Sequence, residues 1–179
     1  SEACENRGVS SCTHPGSSEP VQEMIGHSRF ADLMILNAET SFQSKPENTP
    51  TAFVQEVIAK SECPVIITPL SFEGIDELLF AYDGSSSSVF AIKQFTYLFP
   101  ELKDKKVLIL QVNDESSHIR DQNQIESLVK AHYTDVSIRV LQGRAGDALF
   151  GYLLGKKNVF VVMGAFGRSP LSDLFQPSA

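Results

Sequence analysis

The sequence predicts an α/β protein with a three-layer, open and mostly parallel sheet. Apolar runs of strand length alternate along the chain with segments of helical periodicity, a pattern typical of parallel sheets covered by helices. Several of these runs are unbroken, as in strands that are buried on both faces. The run at Val159–Met163 leads directly towards Gly164 and Gly167, and glycines at a strand end let backbone N–H groups approach an anionic ligand. A tight turn with nothing bound would also explain two glycines at this spacing.

The composition restricts the classes of function. The 179 residues are 42% hydrophobic and 21% charged, as in a soluble globular chain. A net charge of −7 without a local cluster of Lys and Arg argues against nucleic acid as a partner. We expect no membrane partner and a cytoplasmic protein, because no apolar run has the length of a membrane span or the character of a signal peptide. Cys4, Cys12 and His14 fit no standard zinc spacing, so no metal is predicted.

The first part of the chain contains the signals of two helices and two or three strands. Serines precede the first helix, which has Pro20 in its first turn, and the second helix places Phe53 and Val57 on one face. The last strand has proline at both ends, which suits an edge position. The predicted elements are a strand at Val9–His14, a helix from Ser17–Ser18 through Ile25, a strand at Ala31–Leu36, a loop at Asn37–Pro50, a helix from Thr49 or Thr51, and a strand at Cys63–Pro69.

The second part repeats the alternation of strand and helix more regularly. Four serines precede its first helix, and Pro100 ends that helix. The predicted elements are strands at Glu77–Tyr82, Val107–Val112, Val136–Val140 and Val159–Met163, with helices at Val89–Leu98, Gln124–His132 and Asp147–Leu154.

An internal repeat relates these two parts. At a constant offset of 127 residues, Gly16 falls on Gly143 and the run Leu33–Leu36 falls on Phe160–Met163. The Asp83 strand has no counterpart in the first copy. We therefore interpret residues 1–69 as the C-terminal part of a first, degenerate repeat, and residues 70–179 as a second repeat that lacks its last helix and strand. The simplest origin of this arrangement is a piece taken from a longer tandem protein.

Four motifs follow one another along the chain: Ala31-Asp32-Leu33-Met34-Ile35-Leu36, Cys63-Pro64-Val65-Ile66-Ile67, Phe80-Ala81-Tyr82-Asp83-Gly84-Ser85 and Met163-Gly164-Ala165-Phe166-Gly167-Arg168-Ser169. In this order they resemble the motifs of the universal stress protein family, in its tandem form with two repeats per chain. The resemblance implies a Rossmann-like, nucleotide-binding parallel sheet with strand order 3-2-1-4-5. It also implies a role in the stress response and pairing of domains through their fifth strands.

ATP-binding members of this family carry Gly-x2-Gly-x9-Gly-Ser/Thr after the fourth strand. Gly164 and Gly167 match the first two glycines, Pro177 replaces the third, and Ser178 keeps the hydroxyl. Proline offers no N–H to a phosphate, so we expect weak ATP binding or an empty site. The first repeat lacks both glycines at the corresponding positions, and we expect it to be empty.

By the same resemblance, the site lies at the carboxyl ends of the first and fourth strands of the second repeat. Asp83 would face adenine or ribose, and Val112 would pack on the adenine. The predicted site residues are Ala81, Tyr82, Asp83, Val112, Met163, Gly164, Gly167, Arg168, Ser169 and Ser178. Alternatives remain for three of these positions: a turn with a helix cap at Asp83, a core position at Val112, and a solvated charge at Arg168.

The sequence predicts a regulatory module and not an enzyme. None of the four histidines accompanies a recognisable nucleophile motif, and the P-loop pattern is absent. The leading hypothesis is a nucleotide-sensing module with ATP as a possible ligand, and the alternative is a ligand-free dimerisation scaffold. Because Val65–Ile67 would be an aggregation-prone open edge, we expect it either to replace the missing strand of the second repeat or to pair with another chain. A homo-oligomer or strand-exchanged dimer is therefore expected.

The strands should also supply the core. The positions that we expect to be buried are Leu33, Ile35, Val65, Ile67, Leu79, Ala81, Leu108, Leu110, Ile138, Phe160 and Val162.

Overall fold

Two parallel sheets organise the chain. The structure is a computed structural model, and it describes residues 2–16, 18–113 and 118–164. The first sheet pairs β1 (Met34–Asn37) with β2 (Val65–Thr68), and the second has the order β5-β4-β3-β6. The remaining strands are β3 (Glu77–Ala81), β4 (Lys106–Asn113), β5 (Asp135–Gln142) and β6 (Val159–Met163). The helices are α1 (Glu2–Glu5), α2 (Pro20–Ser28), α3 (Ala52–Lys60), α4 (Ser86–Leu98), α5 (Gln122–Lys130) and α6 (Ala145–Leu153), with a 3-10 turn at Pro100–Leu102.

The second sheet has helices on both faces, which makes the predicted three layers. Side chains alternate between the faces of a strand. On one face Leu78, Phe80 and Ile109 share a core with residues of α4 and α5. On the other face Leu79, Leu108 and Leu110 pack with Leu149 of α6. Counted from β3 onwards, the described strands follow the order 3-2-1-4, and residues 165–179 lie outside the described residues.

The first sheet has a core of its own. Met34 and Leu36 of β1 are each 7% exposed and pack with Phe53, Val54 and Val57 of α3. Thr51 caps this helix, because its hydroxyl accepts a hydrogen bond from the Val54 backbone N–H at 3.4 Å. Within the described part of the chain β2 pairs with β1 alone and stands at a sheet edge, as its flanking prolines predicted. It does not take a place beside β6.

Two expectations for this first part are wrong. Ile35, expected in the core, is 62% exposed, because the alternation of β1 places Met34 and Leu36 inside. Val9–His14, expected to be a strand, is irregular. The remaining core positions are buried or half-buried, with Leu79, Leu108, Leu110 and Val162 in the first group and Leu33, Val65, Ile67, Ala81, Ile138 and Phe160 in the second.

Membrane insertion finds no support in the helices that are described, since none of them combines the length and the apolarity needed to cross a bilayer.

Candidate functional site at the strand ends

A tight turn joins the end of β3 to α4. The Tyr82 backbone N–H still donates to the Leu110 carbonyl at 2.9 Å, so the strand pairing extends to this residue. Asp83 Oδ1 then accepts a hydrogen bond from the Ser85 N–H at 2.9 Å. Gly84 lies at φ +76°, in the left-handed region that favours glycine. Asp83 and Gly84 therefore form a turn ahead of a helix cap, which was one of the two interpretations of this motif.

Serine hydroxyls close the first turn of α4. Ser85 Oγ accepts a hydrogen bond from the Ser88 N–H at 3.1 Å and lies 3.0 Å from Ser87 Oγ. Ser88 Oγ donates back to the Ser85 carbonyl at 2.9 Å. One of the amides that a helix start leaves unsatisfied is thus used by the cap, and the first turn keeps further amides at its N-terminus.

Gly164 meets this first turn from the end of β6. It follows Met163, which is paired in register with Ala81 of β3. A Cβ placed on Gly164 would lie 2.7 Å from the Ser88 backbone nitrogen and 2.8 Å from Ser87 Oγ. Only glycine therefore fits here without a shift of the helix. The carboxyl end of β6 thus reaches the positive end of α4, where an anion is favoured.

A polar network holds the end of β4. Gln111 is buried, and its Nε2 donates to Asn113 Oδ1 at 2.6 Å. Its Oε1 accepts a hydrogen bond from the Arg120 backbone N–H at 3.3 Å. Asn113 Nδ2 donates to the His118 carbonyl at 2.9 Å. These bonds fix the segment that precedes α5 above the strand end, and the Arg120 side chain lies against Gly84.

Sequence reasoning missed this network. Gln111 is a polar residue inside the apolar run Val107–Val112, and a buried polar side chain needs hydrogen-bond partners. That interruption was the available signal. The contact of Arg120 with Gly84 had no signal in the sequence, because it depends on how the segment after β4 folds back.

The surroundings shift the pKa values of Asp83 and Tyr82, at the end of β3, in opposite directions. Burial raises the pKa of Asp83, but hydrogen bonds from Ser85 and Ser88 outweigh it and hold the pKa below its usual range. Asp83 is therefore an anion at neutral pH. Burial and then the nearby charge of Asp121 raise the pKa of Tyr82, with partial compensation from Arg120. Tyr82 is therefore a neutral phenol.

Acidification should test the state of Asp83. Its folded pKa is lowered, so its contribution to stability is present above the unfolded pKa and is lost as the pH falls through the folded pKa. We expect Asp83→Asn to destabilise the protein at pH 7 and to lose this effect progressively below about pH 4. Urea unfolding of both proteins from pH 7 to pH 3 measures the difference. A gap that stays constant with pH would contradict this assignment.

The predicted site residues divide into three groups. Asp83 and Gly164 lie at neighbouring strand ends around the start of α4, and Val112 is half-buried near the end of β4. Ala81 and Met163 pack in the core on the α6 side, whereas Tyr82 packs in the core on the side of α4 and α5. The predicted residues that lie outside the described part of the chain are Gly167, Arg168, Ser169 and Ser178. Within residues 2–16, 18–113 and 118–164, no group of three His, Cys, Asp or Glu residues could hold a metal ion.

Comparisons with known proteins agree with this fold. No family model matches the sequence. The chain is 26% identical over 146 residues to "Universal stress protein Slr1230" of Synechocystis sp. (strain ATCC 27184 / PCC 6803 / Kazusa), over 80% of this chain and 50% of that protein. The chain thus spans about half the length of the curated relative that it matches.

A solved structure supports the same relationship at the level of the fold. The crystal structure of a universal stress protein from Archaeoglobus fulgidus DSM 4304 superposes with a TM-score of 0.69, at 16% identity, over 89% of this chain and 62% of that one. The resemblance first carried by the four motifs is thereby confirmed. Taken together, the sequence match and the shared fold support a UspA-like protein, similar to those of the universal stress protein family.

Proposed function

We propose that the second repeat, residues 70–179, is a nucleotide-sensing regulatory module that binds ATP weakly at the carboxyl ends of β3 and β6. The observation that carries the proposal is the close approach of Gly164 to the first turn of α4, beside the anionic Asp83. These two strands are adjacent, and the helices that follow β3 and precede β6 lie on opposite faces of the sheet. Open α/β sheets bind ligands at such a reversal of strand order.

Each group at this crevice suits one part of a nucleotide. The Asp83 carboxylate can accept hydrogen bonds from ribose hydroxyls. The start of α4 and the backbone at Gly164 favour the negative charge of a phosphate. Ser85 already occupies the Ser88 amide, and Pro177 offers no N–H where the family motif has glycine. Loss of one hydrogen bond to a charged group weakens binding by about ten- to hundredfold, which supports a weak site.

A ligand-free scaffold is the second candidate, and one observation favours it. The serine hydroxyls of α4 satisfy one another and the Ser88 amide, so the helix start is stable without a bound anion. In this proposal the chain acts by pairing with a second copy, through β6 or β2, each of which stands at a sheet edge among the described strands. A cytoplasmic location and the absence of nucleotide hydrolysis belong to both proposals.

The nucleotide carried by the purified protein distinguishes the two candidates. We expect denaturation to release a substoichiometric amount of adenine nucleotide that is not hydrolysed on storage, and calorimetry to detect weak ATP binding. Gly167→Val should abolish that binding, because a branched side chain would occupy the approach of the nucleotide. Thr40→Val changes the corresponding position of the first repeat and should leave binding unchanged. Tight binding that Gly167→Val does not affect would place the site elsewhere, and absence of any binding would favour the scaffold.

A further inference from the structure

A groove runs between α4 and α5 on the face of the sheet that carries Phe80. Its volume is about 480 Å³, within the range of about 300–1,000 Å³ that small-molecule sites occupy. Apolar side chains from both helices form its walls, among them Phe90, Ile125 and Leu128. Phe90 is 60% exposed and presents a ring surface to the solvent. We call this feature the α4–α5 groove.

The side chain of Tyr82 is the most buried aromatic group at the α4–α5 groove. Tyr82 lines the groove and is only 4% exposed. Within the described residues its hydroxyl makes no hydrogen bond, although every fully buried side-chain oxygen or nitrogen there has a partner. The Tyr82 oxygen must therefore keep some contact with solvent, and the groove that Tyr82 lines provides it. A nearly buried phenol whose hydroxyl lacks a protein partner is a group that a ligand can satisfy.

Two opposite charges flank the groove. Asp121 stands at the start of α5 in a left-handed conformation, and its side chain does not cap the helix. Lys93 lies on α4, two turns beyond its first residue. Neither forms a salt bridge with another residue in the ranges that the structure covers. The charges of Arg120 and Asp83 also reach Tyr82, so two basic and two acidic groups surround the groove. It therefore favours neither an anion nor a cation, while it offers both an acceptor and a donor.

We propose that the α4–α5 groove binds a small, neutral, planar aromatic molecule with a donor and an acceptor on one edge, such as an aromatic amide or a neutral heteroaromatic ring. The apolar body would lie between Phe90 and the α5 side chains Ile125 and Leu128. The polar edge would meet the Tyr82 hydroxyl and the Asp121 carboxylate. The groove reaches Gly84, Ser85 and Ser86 at the start of α4 and extends from there between α4 and α5, where Tyr82 packs, whereas Gly164 approaches Ser87 and Ser88 from the end of β6.

Three probes that share a naphthalene ring and differ in charge test whether the groove prefers a neutral ligand. They are 2-naphthamide, which is neutral, 2-naphthoate, which is an anion, and 2-naphthylmethylamine, which is a cation. Titration of the full chain, followed by probe fluorescence, should rank the amide first. The same ranking should persist in Gly167→Val without ATP, so failure of the nucleotide proposal would not affect this result. Preference for either charged probe, or no binding of the amide, would overturn the proposal.

Substitutions in the groove then assign the contacts. Tyr82→Phe should weaken the binding of the amide by about three- to tenfold, which corresponds to the loss of one neutral hydrogen bond. Tyr97→Phe, an exposed tyrosine of the same helix pair, should change nothing. Asp121→Asn and Lys93→Gln change exposed side chains, so they should keep the fold and shift the balance of charge at the groove. Asp121→Asn should strengthen the binding of the naphthoate, and Lys93→Gln should strengthen the binding of the amine, each by a few fold. Unchanged amide binding in Tyr82→Phe, or charge changes without effect on the ranking, would place the binding elsewhere.

Discussion

Replacing Phe80 by alanine should lower the free energy of unfolding by about 3–5 kcal/mol. Phe80 lies in the middle of β3 and is fully buried. Its ring makes edge-to-face contacts with Phe95 and Tyr133, at centroid distances of 5.9 Å and 5.6 Å. Removing it leaves a cavity among groups held by three different elements, so the surrounding core cannot close over the space without moving a helix. The chain contains no tryptophan, and urea unfolding followed by far-UV circular dichroism is the suitable measurement.

Phe90 provides the matched control for Phe80. It is also a phenylalanine of the region that forms the second sheet and its helices, but it is 60% exposed on α4. Phe90→Ala removes the same atoms and should change stability by no more than about 0.5 kcal/mol. Equal losses in the two variants would mean that the face of β3 turned towards α4 and α5 has been assigned incorrectly.

Gly164→Ala should destabilise the protein by about 1–3 kcal/mol, although it adds a single methyl group. The methyl carbon would lie 2.7 Å from the Ser88 nitrogen, and backbone atoms cannot rotate away as a flexible side chain can. Gly151→Ala is the control, because Gly151 lies in α6 with no atom within 4 Å of an added Cβ. There alanine should stabilise the helix, by up to about 1 kcal/mol. Unfolding midpoints that move in the same direction would contradict the close packing of β6 on α4.

The strands were predictable where apolar runs are long or β-rich. The predicted strand at Val107–Val112 lies within β4, and the one at Val159–Met163 coincides with β6. Both were predictable because unbroken apolar runs are typical of strands covered on both faces. The same property explains the error at Ile35. An unbroken run of four apolar residues contains no alternation that could indicate which positions face inwards. Val9–His14 has strand-forming residues, but none of the described strands pairs with it, and local propensity alone does not make a strand.

The candidate site was predictable only in part. Asp83 and Gly164 follow directly from motifs at strand ends, and the structure brings their strands together. Tyr82 was grouped with them by the family resemblance, whereas the alternation of side chains places it in the core on the side of α4 and α5. Gln111 and Arg120 were not foreseen, since their bond joins a strand to a segment whose path no local pattern specifies.

The parallel pairing of β3 has a consequence for the order of folding. Its neighbour β4 follows after one helix, whereas its other neighbour, β6, follows only after two further strands and two further helices. No hairpin can form between parallel strands, so each pairing requires the closure of a long crossover before its hydrogen bonds form. During synthesis the edge of β3 that pairs with β6 therefore stays unpaired until β6 has been made. Until then this edge can pair with incorrect strands. The strand that supplies the centre of the core is thus among the last to be completed.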